Sequence, residues 1–308
     1  MGVTTVTVVE RIECNTAVES EGQGHDRFSG VVVPLITPLT RTRDIDEEAV
    51  HRVVDHVVGG GVDGILALGT TGEFVSMDLG KRRRLLELVA RANAGRVTLY
   101  AGVGDTSLDY TLAISDAAAS AGADAIAVVP PYYFPLTEDQ LVGFYRHVVR
   151  ASGLPVMLYN IPGFTRVDVT NRVVREVMDA GQVIGIKDSS GNFDTLCGFI
   201  KEFRKPGAFR VMVGSEALAW KGIQAGGDGL IPSSANACPE LWSKYYAALK
   251  SGVEAEARAC QEKVDAQVNA LMQGTTGWPG YLKNLKVQLA EKFGLCQPWL
   301  ASPLEPMD

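Results

Sequence analysis

The sequence predicts a (β/α)8 TIM barrel with additional C-terminal helices, and three observations carry that expectation. From about residue 28, short runs rich in Val, Ile, Leu and Ala alternate with longer stretches of 3.6-residue periodicity. Several of the short runs, such as Ala125-Ile126-Ala127-Val128-Val129, are apolar at every position, as in a parallel sheet covered on both faces. The alternation repeats eight times within 308 residues, a length that holds one large barrel of about 250 residues. An open doubly wound sheet is the competing architecture.

The strand-like runs are Gly30–Thr37, Val62–Leu68, Val97–Ala101, Ala123–Val129, Pro155–Tyr159, Val183–Lys187, Arg210–Val213 and Gly229–Pro232. Helical stretches between them include Asp46–Val58, Lys81–Ala94, Leu108–Ser120 and Glu138–Ala151. Asp44 with Glu47, and Thr137 with Gln140, have the spacing that satisfies free amides in a first helical turn. Gly59-Gly60-Gly61 and Ala121-Gly122 suit helix ends. After the last strand, Pro239–Lys250, Glu254–Met272 and Pro279–Phe293 read as helices. The expected organisation is an N-terminal arm over residues 1–27, the barrel over 28–232, and a helical extension over 233–308 packed on it.

Composition narrows the function. Hydrophobic residues make up 46% and charged residues 21%, enough to fill a core and too apolar for a disordered chain. The formal charge of −7 disfavours nucleic acid and acidic lipid as partners. No apolar stretch approaches the ~20 residues of a membrane helix, and no basic-then-apolar leader opens the chain. Cys14, Cys197, Cys238, Cys260 and Cys296 are odd in number and scattered, which suits reduced thiols in a cytoplasmic protein. His25, His51, His56 and His147 fall in the arm or on helices without ligand-like company, so no metal site is expected. Gly59-Gly60-Gly61-Val62-Asp63-Gly64 spells G-x-G-x-x-G, but a helix precedes it and a strand follows, the reverse of a dinucleotide site.

Chemistry in such a barrel gathers at the C-terminal strand ends. There the sequence places Gly69-Thr70-Thr71-Gly72-Glu73, Pro130-Pro131-Tyr132-Tyr133, Tyr159-Asn160-Ile161-Pro162 and Gly185-Ile186-Lys187-Asp188. Lys187 closes an apolar run. It reads either as half of a structural ion pair or as an amine that forms an imine with a ketone, with Tyr159 one strand away to move protons. Thr70-Thr71 reads as a plain turn or as a cradle of amides and hydroxyls for a small carboxylate. Tyr132 and Tyr133 read as rim packing or as site residues, while Asn160 and Pro162 shape a turn.

These motifs, together with Pro34-Leu35-Ile36-Thr37-Pro38, resemble in order and spacing the dihydrodipicolinate synthase/N-acetylneuraminate lyase family from about residue 30 to about residue 290. The resemblance implies a class I aldolase or lyase that uses or releases pyruvate through a covalent lysine imine, with no further cofactor. Lys187 falls on the imine lysine, Tyr159 on the acid/base tyrosine and Thr70 on the hydroxyl linking it to a second tyrosine. Tyr133 matches that second tyrosine, donated across a tight dimer interface. Gly69 and Thr71 match the carboxylate-holding turn, Ile231 the backbone facing pyruvate, and Gly214 the glycine ending the seventh strand.

One position departs. Where synthases of the family carry an arginine for the aldehyde's carboxylate, this chain has Phe164, with Arg166 two residues on. A phenylalanine cannot make a bidentate carboxylate contact. The expected reaction is therefore formation or cleavage of a 4-hydroxy-2-oxo acid, for example a 2-oxo-3-deoxy sugar acid. The alternative is 4-hydroxy-tetrahydrodipicolinate synthase itself, and a non-catalytic 2-oxo acid-binding barrel is a third reading. The expected partners are pyruvate and an aldehyde, and a second copy of the chain in a homodimer or homotetramer.

Overall fold

Eight parallel strands pair in chain order and close on themselves in the computed structural model, which describes residues 27–305. They are β1 (Gly30–Pro34), β2 (Gly64–Ala67), β3 (Thr98–Gly102), β4 (Ala125–Val128), β5 (Val156–Asn160), β6 (Val183–Asp188), β7 (Arg210–Val213) and β8 (Gly229–Leu230). Gly30 and Val31 pair with Gly229 and Leu230, which closes the barrel and removes the open-sheet alternative. Apart from Arg27, the arm expected over residues 1–27, with Cys14 and His25, lies outside the described residues.

The strands are shorter than their apolar runs because other groups take over the ladder. Beyond Pro34, the Ile36 amide donates to the Asn236 side chain (3.0 Å), whose amide returns a bond to the Pro34 carbonyl (2.8 Å). Beyond Ala67, Leu68 turns left-handed with φ 56° and ends β2. A recurring aspartate seals the opposite end. Asp63, Asp124 and Asp228 each stand immediately before a strand. Their carboxylates accept from the amides of Val31 (2.7 Å), Leu99 (2.8 Å) and Val211 (2.9 Å) on neighbouring strands.

The helices are α1 (Glu47–Gly59), α2 (Leu79–Asn93), α3 (Leu108–Ala121), α4 (Glu138–Ala151), α5 (Pro162–Thr165), α6 (Asn171–Val177), α7 (Phe193–Phe203), α8 (Ala219–Gln224), α9 (Pro239–Ser251), α10 (Glu254–Met272) and α11 (Gly277–Phe293). Thr137 and Gln140 form the expected reciprocal cap of α4. Asp44 does not cap α1. Asp46 does, accepting from the Ala49 amide, while Asp44 pairs with Lys81 on α2. Helix α1 starts at Glu47, so only Asp46 stands at the position whose side chain reaches the third helical amide. The glycine-rich stretch from Gly59 to Gly64 joins the end of α1 to β2. Among the described residues, Cys197, Cys238, Cys260 and Cys296 are free thiols.

Two apolar cores result. A large one lies between barrel and helices. A smaller one fills the barrel with Val32, Leu66, Tyr100, Ala125, Ala127, Met157 and Met212, where bulky Tyr100 faces two alanines, and Phe28 stands against the Tyr100 ring at one end.

The β5–β6 pairing contains one irregularity. Val156 pairs with Val183, but Met157 pairs with Gly185, so Ile184 is an extra residue in β6. From there onward Tyr159 lies beside Lys187 and Asn160 beside Asp188. Without the extra residue Tyr159 would pair with Ile186, and Lys187 would face the opposite side of the sheet. Gly185 follows the bulge, and a Cβ there would stand 2.3 Å from the Arg210 carbonyl oxygen.

Candidate active site

The corrected register brings Lys187 and Tyr159 together inside the C-terminal end of the barrel. Lys187 is 3% exposed, and its Nζ lies 3.9 Å from the centroid of the Tyr159 ring. Among the described residues no carboxylate lies within ion-pair distance of Lys187, so the structural ion-pair reading has no partner. The Tyr159 hydroxyl is 3.3 Å from Thr70 Oγ1. An ammonium on a tyrosine face is favourable, and the contact holds the Lys187 side chain against the residue that could exchange protons with it.

Thr70 stands at the start of a single 3-10 turn, Thr70–Gly72, that follows β2. The turn closes through Gly72 N–H to the Gly69 carbonyl (3.0 Å) and Glu73 N–H to the Thr70 carbonyl (3.1 Å). Thr37, just beyond β1, donates its hydroxyl to the Gly72 carbonyl (2.7 Å). Thr71 is buried within it.

Behind the pair, the outward-facing Asn160 and Asp188 are joined by an amide-to-carboxylate bond of 2.8 Å, and Ser190 donates to the same carboxylate. Asn160 Oδ1 accepts the Val169 amide (3.0 Å). Burial pushes the Asp188 carboxyl above its ordinary value, against the lowering effect of the Asn160 and Ser190 bonds. Gly214 closes the next strand. A Cβ there would lie 2.0 Å from Ser189 Oγ and 3.0 Å from both the Asp188 carbonyl oxygen and Lys187 Cε, so any side chain would crowd the serine and press on the lysine stem.

These residues open into a cavity of about 310 Å³. Of the residues the sequence singles out, Thr70, Thr71, Tyr159, Lys187, Gly214, Ile231 and Phe164 line it. Gly69 shapes the turn without lining the cavity, and Arg166 and Tyr133 stand outside. Arg166 and Tyr133 line a neighbouring groove of about 290 Å³ with Tyr132 and Phe134, and Phe164 borders both spaces. Tyr132 packs edge-on against Phe74, whereas Tyr133 is 85% exposed and touches Phe134, itself 72% exposed. Within one chain, then, the second tyrosine does not reach the Lys187 cavity.

The sequence reading missed the outer wall. Trp278 and Tyr281 of α11 stack at 4.9 Å, and Phe164 meets Trp278 edge-on. Val268 and Met272 of α10 complete this side. Next to Tyr281, Glu216 accepts from the Ser234 amide (2.7 Å) and the Ser233 hydroxyl (3.0 Å), and Ser233 also meets the Tyr281 hydroxyl (2.8 Å). Burial raises the Glu216 carboxyl above its usual value. Glu216 and Ser233 lie just past strands and were findable by position. Trp278 and Tyr281 arrive from some 90 residues beyond Lys187, and nothing local marks them.

A larger depression, about 590 Å³, lies at the opposite barrel end, where Asp63, Asp124 and Arg96 are already engaged with backbone or with Arg27 and Asp55. Among the described residues there is no metal-binding cluster and no helix long and apolar enough to cross a membrane. His51 and His56 lie on α1 and His147 on α4, away from the cavity.

A sequence profile described as the dihydrodipicolinate synthetase family matches residues 27–308. The chain is 31% identical over 278 residues to a 4-hydroxy-tetrahydrodipicolinate synthase of Thiobacillus denitrificans, covering 90% of this chain and 91% of the relative. It is 34% identical over 242 residues to a probable 2-dehydro-3-deoxy-D-pentonate aldolase of Escherichia coli, covering 77% and 80%. The solved dihydrodipicolinate synthase of Bacteroides thetaiotaomicron superimposes with a TM-score of 0.86 at 32% identity, over 91% of this chain and 94% of that one.

The Asn160–Asp188 contact generates a test of the site's support. Asn160→Asp sets two buried carboxylates side by side, and it should lower stability by roughly 3 kcal/mol at pH 7. Each carboxyl then has a folded-state pKa above its unfolded one, so the folded state gains relative stability as pH falls through that range. Denaturant melts at pH 7 and pH 5 should show the deficit shrinking on acidification. A deficit independent of pH would contradict this account of the contact.

Proposed function

The chain belongs to the dihydrodipicolinate synthetase family, and from that premise we propose that it is a pyruvate-dependent class I aldolase forming or cleaving a 4-hydroxy-2-oxo acid. The observation that supports this most is the placement of Lys187 on the Tyr159 ring with Thr70 on the tyrosine hydroxyl, in a cavity that admits a small ligand.

In this reading the unprotonated Lys187 amine attacks C2 of pyruvate, and loss of water gives the imine. The amides of Thr70 and Thr71, which line the cavity, hold the pyruvate carboxylate. Tyr159 relays a proton from C3, and the electron pair moves into the imine to give an enamine. The enamine C3 attacks the aldehyde carbonyl carbon, and the new alkoxide takes a proton through Tyr159. Water then hydrolyses the imine, releases the 4-hydroxy-2-oxo acid and restores the lysine; cleavage runs in reverse. No cofactor is called for.

Among the described residues, Lys187 and Glu216 are the only charged side chains lining the cavity. An aldehyde bearing a carboxylate would meet Phe164 and a second carboxyl where it needs a cation. The reading therefore takes an uncharged acceptor, such as the aldehyde half of a 2-oxo-3-deoxy sugar acid, with Ser215, Glu216 and Ser233 available to its hydroxyls. The exposed Tyr133–Phe134 pair supports a homodimer in which the partner's tyrosine completes this site.

Borohydride treatment in the presence of pyruvate should fix a reduced pyruvyl group on Lys187, found by peptide mass. Lys187→Ala should lose both the adduct and turnover, with residual rates several orders down. Retention of more than a few per cent of activity by that variant would refute the covalent route.

Acceptor choice is tested separately. The wild type should turn over aspartate semialdehyde poorly while binding pyruvate normally. Phe164→Arg should improve that reaction by about tenfold to a hundredfold, the value of one charge-assisted carboxylate contact. Efficient wild-type condensation with the semialdehyde, lost in Arg166→Ala, would instead assign the carboxylate contact to Arg166 and make the chain a synthase.

A further inference from the structure

A buried ion pair outside the reacting groups ties the turn beside Lys187 to the far end of the chain. Glu73, the residue after the Thr70–Gly72 turn, is left-handed with φ 60° and ψ 28°. That conformation sends its carboxylate away from the cavity into the body of the protein. There Oε1 lies 2.5 Å from Lys286 Nζ of α11, and both side chains are fully buried. The other oxygen accepts the Ala301 amide at 2.6 Å. Lys286 donates in turn to the Trp299 carbonyl (2.7 Å).

The C-terminal segment is itself strapped down over this pair. Glu305 accepts the Leu300 amide (2.9 Å) and pairs with Arg43 (3.1 Å) and Lys283. The Arg43 guanidinium lies over the Trp299 ring at 4.7 Å, and Lys283 lies over the same ring at 5.3 Å. The turn thus has two anchors, the Thr37 hydroxyl on the barrel side and, through the Glu73 carboxylate, Lys286 and the Ala301 amide of the C-terminal extension.

A buried ion pair adds little net stability over a well-packed apolar pair, because both charges lose their hydration. What it adds is direction. A carboxylate held by an ammonium on one oxygen and an amide on the other can point one way only, and the left-handed residue carrying it cannot relax without breaking both contacts.

We infer that Lys286 is a positioning residue for pyruvate: through Glu73, and with the Ala301 amide as second anchor, it fixes the orientation of the carboxylate-binding turn. The inference rests on the pyruvate aldolase reading and assigns the last residues of the chain a part in substrate affinity. Neither Lys286 nor Glu73 lines the cavity, so the effect passes through the backbone of Thr70–Gly72.

Removing one charge alone would strand the other in the interior and could unfold the protein. The informative variant is therefore the pair Glu73→Gln/Lys286→Met, which leaves no buried charge. It should raise the KM for pyruvate about tenfold, the size of one weakened charge-assisted contact, with kcat within about threefold and the aldehyde KM unchanged. A second variant, Ala301→Pro, keeps the ion pair and removes only the N–H that anchors the second Glu73 oxygen, and should raise the same KM by a smaller factor. Borohydride trapping should still label Lys187 in both at saturating pyruvate. An unchanged pyruvate KM in either folded variant overturns the inference, as does a fall in kcat matched by an equal rise in both KM values. Failure to trap pyruvate on wild-type Lys187 would instead remove the reading beneath it.

Discussion

The register between β5 and β6 is the constraint on which the site depends. Strand side chains alternate faces, so a lysine and a tyrosine on adjacent parallel strands share a face only when their registers agree in parity. The extra residue Ile184 supplies that agreement by resetting the pairing from Val156–Val183 to Met157–Gly185. Everything downstream follows from it. Lys187 turns inward onto Tyr159, and Asp188 turns outward to Asn160. The neighbouring strand is followed by a glycine, Gly214, where a Cβ would crowd Ser189 Oγ at 2.0 Å and both the Asp188 carbonyl oxygen and Lys187 Cε at 3.0 Å.

Much of this was legible in the sequence, for physical reasons that differ by element. The strands of an all-parallel barrel are buried on both faces, so Ala125–Val128 or Gly64–Ala67 show as unbroken apolar runs. Their ends were overestimated where a side chain replaces the ladder, as Asn236 does beyond Pro34. Thr137 and Gln140 identified their helix start because both halves of a reciprocal cap lie within four residues. Asp44 misled because a second aspartate two residues on stands nearer the helix and wins the amide. Lys187, Tyr159 and Thr70 were findable because each ends a strand run and the barrel sends all such ends to one rim.

What the sequence hid is non-local. Trp278, Tyr281, Val268 and Met272 come from helices added after the barrel, and their periodicity gives only their helical character. The bulge at Ile184 leaves no mark in an apolar run, where one extra residue looks like the rest. Lys286 sits in an ordinary amphipathic pattern, and its full burial against Glu73 appears only when the chain ends are brought together. Two of the C-terminal helices, α10 and α11, therefore do two things for one site. They wall its outer side with aromatic rings, and through one ion pair they hold the turn on its inner side. On that wall Phe164 meets Trp278 edge-on, and the proposed preference for an uncharged acceptor rests on this aromatic side.

The most direct measurement of the central claim is a crystal structure of the protein soaked with pyruvate. The account predicts continuous density from Lys187 Nζ to C2 of pyruvate, the carboxylate on the amides of Thr70 and Thr71, and the Tyr159 hydroxyl within hydrogen-bond reach of the bound ligand. Pyruvate bound without a covalent link, or with its carboxylate held elsewhere while Lys187 stays on the Tyr159 ring, would contradict it.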